Sequence, residues 1–197
     1  VITLPDTFVP RSAQPFMLDA GFVVRSARGL AIGRMETPGS RFGAEIQFPA
    51  MVYDTANELL SYLQAGKRVG LRLKWPLMAT TQAGGTGAVN GSGVAGTTLP
   101  VRGLTASAVI KRGSWVTVVN ASGDRCLHNV VNPATVAGGG TVTLTVQPPL
   151  RTVLADGNTV LVSAPTIEGV ITSEVNWDLP VNRIVPPMGF RIEEAEA

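Results

Sequence analysis

Phe42-Gly43-Ala44-Glu45-Ile46-Gln47-Phe48 puts Phe42, Ala44, Ile46 and Phe48 on one side of an extended chain and Glu45 and Gln47 on the other. Successive side chains of a strand point to opposite faces, so a period of two predicts a half-buried strand. Working outward, the period recurs three times. Val69, Leu71, Leu73 and Trp75 oppose Arg72 and Lys74. Ile171, Ser173, Val175, Trp177 and Leu179 oppose Thr172, Glu174, Asn176 and Asp178. Met188, Phe190 and Ile192 oppose Arg191 and Glu193. Strands of this kind belong to antiparallel sheets with one wet face.

One segment has the helical period instead. Ala56, Leu59, Leu60 and Leu63 fall at i, i+3, i+4 and i+7, a single stripe. Thr55 and Glu58 have capping-box spacing, and Gly66 suits the position just after the helix. One helix among many strands predicts that it plugs an end or a face of a sheet.

Composition narrows the classes. Of 197 residues, 45% are hydrophobic, which excludes wholesale disorder, while only 15% are charged. The 22 glycines and 14 prolines have no triplet period, which excludes collagen and argues against a helical bundle. A net charge of +2 gives no electrostatic footprint for DNA or RNA, so no sequence-specific nucleic-acid partner is expected. The single cysteine, Cys126, and single histidine, His128, exclude an internal disulfide and a Cys/His zinc cluster. No apolar run reaches the length of a membrane-spanning helix, and no membrane partner is expected. The opening Val1-Ile2-Thr3-Leu4-Pro5-Asp6 lacks signal-peptide blocks. Together these features predict a soluble, non-secreted, β-rich protein with little chemistry of its own.

Ala79 to Thr98 has no charge and no aromatic residue and reads as a flexible linker or a long loop. Leu99 to Ala164 then looks like a separate β module. Trp115–Val119, Thr141–Val146 and Thr159–Val162 are strand-like, with turns at Arg112-Gly113, Ser122-Gly123-Asp124, Gly138-Gly139-Gly140 and Asp156-Gly157. Short strands closely spaced by turns suggest a small barrel or sandwich of the SH3 or OB kind. Alternation of the longer style returns after Thr166. The expected organisation is therefore mainly β: residues 1–80 and 166–197 as one discontinuous domain with a packed helix, 81–98 as a Gly-rich linker or loop, and 99–165 as an inserted small β-barrel-like module.

The search for chemistry returns little. Gly91-Ser92-Gly93-Val94-Ala95-Gly96 matches G-x-G-x-x-G, but Thr97-Thr98-Leu99-Pro100 opens no helix to meet a pyrophosphate. Cys126 and His128, two apart on a strand, share a face, yet no nucleophile elbow accompanies them. They read as a small buried hydrophobe and a structural or surface histidine. Asp124, Asp156 and Asp178 lie in no calcium-loop pattern, and Asp156-Gly157-Asn158 is a tight turn. Glu193, Glu194 and Glu196 read as a solvated tail or the polar side of a last strand. Trp75, Trp115 and Trp177 read as core. No catalytic, cofactor-binding or metal-binding residue is assigned, and no enzyme or cofactor is expected.

The inserted module nevertheless carries an ordered pattern. Lys111-Arg112-Gly113-Ser114-Trp115-Val116-Thr117-Val118 leads to Leu127-His128-Asn129-Val130-Val131. Gly140-Thr141-Val142-Thr143-Leu144, Gln147-Pro148-Pro149-Leu150-Arg151 and Ala155-Asp156-Gly157-Asn158-Thr159-Val160 follow. This order resembles the distal tail and minor tail proteins of long-tailed bacteriophages and related tail-like particles, with Ser114 where the family pattern has an acidic residue. The flanks resemble them too: a strand-rich segment ending near Phe48-Pro49, a helix like Asp54–Gln64 and a strand like Gly70–Trp75.

The resemblance implies a tail-tube-like β-sandwich or barrel fold for the split domain. It implies a hexameric homo-oligomeric ring at the tail tip, joining the tail tube protein to the hub or other tail-tip proteins. DNA would pass through a lumen, and the protein would reside in the virion. Arg102, Arg112 and Arg151 would make rim contacts. A receptor- or carbohydrate-binding module and another tail component, tube or neck ring, are the alternatives. Exposed strand edges, a liability in a lone chain, become assets when subunits pair.

Overall fold

The computed structural model describes residues 1–25, 29, 31–35, 39–77, 81–175, 178 and 183–195. The chain begins with β1 (Ile2–Thr3), β2 (Ser12–Leu18), β3 (Phe22–Arg25), β4 (Ala31–Met35), β5 (Arg41–Gln47) and β6 (Met51–Val52). Helix α1 (Tyr53–Val69) and β7 (Leu71–Lys74) follow. Next come β8 (Thr86–Val89), β9 (Val94–Arg102), β10 (Val109–Ile110), β11 (Trp115–Val119), β12 (Arg125–Val130) and β13 (Ala134–Thr135). The last are β14 (Val142–Leu154), β15 (Thr159–Leu161), β16 (Thr166–Ile171), β17 (Ile184–Val185) and β18 (Gly189–Glu194). The protein is mainly β, with a closed barrel and several sheets.

The larger sheet has the order β1-β7-β16-β18-β5-β2 and draws its strands from residues 2–74 and 166–194. β1 joins β7 in parallel, and the other neighbours are antiparallel. The period of two does its work here: Phe42, Ala44, Ile46 and Phe48 are buried, as are Leu71, Leu73 and Trp75, and Met188, Phe190 and Ile192. Helix α1 adds Ala56, Leu59, Leu60 and Leu63 to the same core.

The helix begins and ends differently from the sequence expectation. Val52 is its N-cap and makes no side-chain cap bond, so the Thr55/Glu58 box does not form. Gly66 is buried within the helix against Leu71, and Gly70, at φ +86°, ends it. Lys67 and Arg68 carry the helix one turn further, where their charges meet the negative end of the helix dipole.

The second body is a closed barrel, β11-β12-β14-β9-β8-β15, with its own core of Val89, Leu99, Val101, Val116, Leu144, Val146 and Val160. This corrects the reading of 81–98 as linker or loop. β8 and the first half of β9 lie inside that stretch and close the barrel, so the barrel's strands run from 86 to 161 rather than starting at 99. Lack of a side chain is a requirement at Gly87. A Cβ on Gly87 would sit 2.6 Å from the Arg102 carbonyl oxygen and 2.8 Å from a Leu104 methyl. Gly91-Ser92-Gly93 is the bend between the two strands, which leaves G-x-G-x-x-G in a hairpin.

Two strands have other bounds. The one expected at 141–146 continues as β14 to Leu154, with a cis Gln147–Pro148 bond. The one expected at 171–179 is displaced: β16 occupies Thr166–Ile171, residues 172–175 are not strand, and Asn176, Trp177 and Leu179 lie outside the described residues.

Barrel and sheet share contacts. Leu127 of β12 is buried in the sheet's core, not the barrel's. Trp115 of β11 meets the Phe42 ring edge-on at 4.8 Å and the Trp75 ring at 4.7 Å. The buried Thr117 hydroxyl donates to the Thr166 carbonyl and accepts the Thr166 N–H, both at 2.7 Å. Gln82, in the stretch read as linker, bonds Trp115 N–H and the Trp115 and Val162 carbonyls.

Candidate functional site

Cys126 and His128 do share a face of β12, but the face is closed. His128 is 1% exposed, and its Nδ1–H donates to the Pro148 carbonyl at 2.9 Å. Burial pushes its pKa down to about 4, with the Pro148 bond acting against the shift and the Arg151 charge adding to it. Burial likewise pushes the Cys126 thiol up, against the pull of Arg151. Both side chains are buried: the raised pKa makes Cys126 a protonated thiol and poor nucleophile, and the lowered pKa makes His128 a weak base.

The corrections at this place concern Arg151 and Glu194. Arg151 was expected at a rim and Glu194 on a solvated tail or polar strand face. Both are buried, with Arg151 Nη2 3.3 Å from Glu194 Oε1. Glu194 also accepts Phe42 N–H at 2.9 Å and Leu127 N–H at 2.5 Å. Burial pushes its pKa up to about 7, opposed by Arg151 and the two backbone bonds. The strand register explains the surprise: Phe190, Ile192 and Glu194 occupy one buried phase of β18. Glu193 faces the other way and bonds Arg191 at 3.0 Å, while Glu196 lies outside the described residues. Arg102 is an exposed partner of Asp156 at 2.9 Å, and Arg112 is exposed in its turn. Among the described residues, no group of three or more His, Cys, Asp or Glu is placed to hold a metal ion, and no helix is long and apolar enough to cross a membrane.

The surface features of functional size lie on the sheet. β2 is its last strand, paired on one side with β5 and bordered on the other by no strand among the described residues. Pro15 within β2 is tolerated because an edge strand can spare an N–H. Among the described residues, β3 and β4 pair only with each other. Phe22 and Met35 face each other in register at 55% and 56% exposure, and Val23 is equally open. None of the three belongs to either hydrophobic core. A two-stranded hairpin alone is marginal in water, and this one adds the cost of bare apolar side chains. Its base is fixed: Asp19 accepts Gly21 N–H at 2.9 Å, and Ser40 accepts Ala20 N–H at 3.1 Å.

An open hollow of about 410 Å³ is lined by Leu4, Phe8, Leu73, Trp75 and Leu77, with Asp6 and Lys74 among its polar residues. The molecule therefore presents an exposed apolar hairpin and an apolar recess. The sequence reading passed over both. Residues 22–35 have no period of two, and the recess joins residues far apart in the chain.

No protein-family model matches this chain, and no curated protein matches it in sequence.

Proposed function

We propose that this chain is a structural subunit of a bacteriophage tail tip, the distal tail protein, whose copies form a hexameric ring joining the tail tube to the hub or host-recognition parts. The observation that carries the reading is the rim of the sheet: a β2 edge bordered by no strand among the described residues, a hairpin baring Phe22, Val23 and Met35, and an apolar recess. Contact between unlike surfaces is heterologous, and heterologous contacts close into rings when the rotation between subunits allows. The ordered motifs of the barrel, from Trp115-Val116-Thr117-Val118 to Gln147-Pro148-Pro149-Leu150-Arg151, supply the tail-protein resemblance.

A glycan-binding role for the barrel draws less support. Trp115, the aromatic it would use, is half-buried and engaged by Phe42 and Trp75. The test is mass photometry with negative-stain imaging across a concentration series, alone and with a tail-tube protein. Ring particles of several chains that grow with concentration are expected. A single-chain mass in every condition would contradict the reading.

A further inference from the structure

The bend between β8 and β9 places Asn90 directly before Gly91. Asn90 is exposed, and Gly91 takes φ +114° with nothing within 4 Å of where a side chain would stand. In a carboxamide followed by an unhindered glycine, the glycine nitrogen can reach the side-chain carbonyl carbon and close a five-membered ring. Here that nitrogen is engaged. Gly91 N–H donates to Asp156 Oδ1 at 2.9 Å, and Asp156 Oδ2 accepts from Arg102 Nη2 at 2.9 Å. Asp156 stands on the turn between β14 and β15, 65 residues along the chain, so the fold supplies this clamp.

We propose that Asn90 is a site of spontaneous deamidation and that Asp156 is its latch, slowing the reaction by holding the Gly91 N–H. In the reaction, water or hydroxide takes the Gly91 amide proton and the nitrogen forms a bond to Asn90 Cγ. The Cγ–Nδ2 bond breaks, and Nδ2 leaves as ammonia. Water then opens the succinimide at one carbonyl or the other, giving aspartate or isoaspartate with no change of oxidation state. The charge-assisted bond to Asp156 favours the protonated nitrogen and must break before that nitrogen turns toward Asn90 Cγ. Asp156 does not promote the step as a base, because a carboxylate is far too weak a base to hold an amide proton.

The position gives the modification a consequence. Asn90 N–H donates to the Pro100 carbonyl at 2.9 Å, and Val89 pairs with Val101 just before the bend. β8 joins β9 to β15, so this hairpin is part of what closes the barrel. Isoaspartate adds a methylene to the main chain at the bend and disturbs that register. Either product also sets a negative charge one residue from the Gly91 N–H that Asp156 holds. The Arg102–Asp156 pair, exposed and of little worth to folding by itself, therefore guards the chemical lifetime of the hairpin.

The test is peptide mapping by mass spectrometry of the full chain incubated at mildly alkaline pH, with isoaspartate separated from aspartate, in wild type, Asp156→Ala and Asp156→Asn. Conversion should concentrate at Asn90, ahead of Asn120, Asn129 and Asn158, which precede Ala121, Val130 and Thr159. Asp156→Ala should speed it roughly fivefold, the worth of one net hydrogen bond. Hydrogen exchange at the Val89 amide, which donates to the Asn158 carbonyl at 2.8 Å, should stay unchanged and show the hairpin intact. Asp156→Asn, which keeps a carbonyl oxygen for the Gly91 N–H, should fall between. No conversion at Asn90 in any of the three, or the same rate in Asp156→Ala as in wild type, would overturn the proposal. Should the alanine variant open the hairpin, Asp156→Asn decides: a rate below that of alanine supports the latch, and an equal rate overturns it.

Discussion

The barrel and the sheet solve the same problem in opposite ways. Every strand of the barrel has two partners, so its backbone groups are satisfied without help from another molecule. Among the described residues, the sheet stops at β2 on one side and at the two-residue β1 on the other, and the β3–β4 hairpin bares Phe22, Val23 and Met35. The barrel is closed as a single chain, whereas the sheet leaves a rim. In the proposed ring, the closed barrel would be the scaffold and the open rim the part that assembles.

The largest effect should come from breaking the seam between the two. Arg151→Leu leaves Glu194 buried without its cation and should cost about 3–5 kcal/mol at pH 8, read from urea unfolding. An unchanged midpoint would mean that the seam holds nothing.

Gly87→Val tests whether the barrel needs its Gly-rich hairpin. The new side chain would strike the Arg102 carbonyl and Leu104, and about 1–3 kcal/mol should be lost. A linker at that position would tolerate it.

Acid should act with opposite signs inside the barrel and at the seam. His128, inside the barrel, is held below its ordinary 6.5, so its contribution is complete above 6.5 and is lost as pH falls toward 4. Glu194, at the seam, has the opposite sign between 4.5 and 7. The two effects nearly cancel between pH 7 and pH 5, so His128→Leu should turn an almost flat profile there into a gain in stability, measured by the urea midpoint at each pH. A parallel curve for variant and wild type would place the acid sensitivity elsewhere.

The smallest effect on folding should come from the hairpin. Phe22→Ser with Met35→Ser changes exposed positions, so monomer stability should move by no more than about 0.5 kcal/mol. Assembly, read by mass photometry, should nevertheless be lost. Rings that persist in this variant would remove the hairpin from the interface.

How much of this was legible follows from local periodicity. Phe42–Gln47 alternates and lies in β5, and the strand-like Trp115–Val119 is β11. Ala56, Leu59, Leu60 and Leu63 repeat at helical spacing, and their helix packs as that stripe requires. The stretch from 86 to 98 was misread because composition was weighed above geometry. In a small barrel, glycine and small side chains allow the close approach of strands that bulk would block. Glu194 left a usable signal, since it continues the phase of Phe190 and Ile192, and a carboxylate in a buried phase calls for a partner. That partner, Arg151, is 43 residues away in sequence, on another body, and only the fold brings it near. The recess is a product of tertiary arrangement, and the exposure of Phe22, Val23 and Met35 leaves no local trace.

The most direct measurement is hydrogen exchange of the free chain against the chain concentrated into assemblies. Amides of β2 and of the β3–β4 hairpin should gain protection on assembly, while those of β8 and β9 within the barrel should stay as they were. Protection gained in the barrel alone, with β2 and the hairpin unchanged, would contradict the assignment of assembly to the open rim of the sheet.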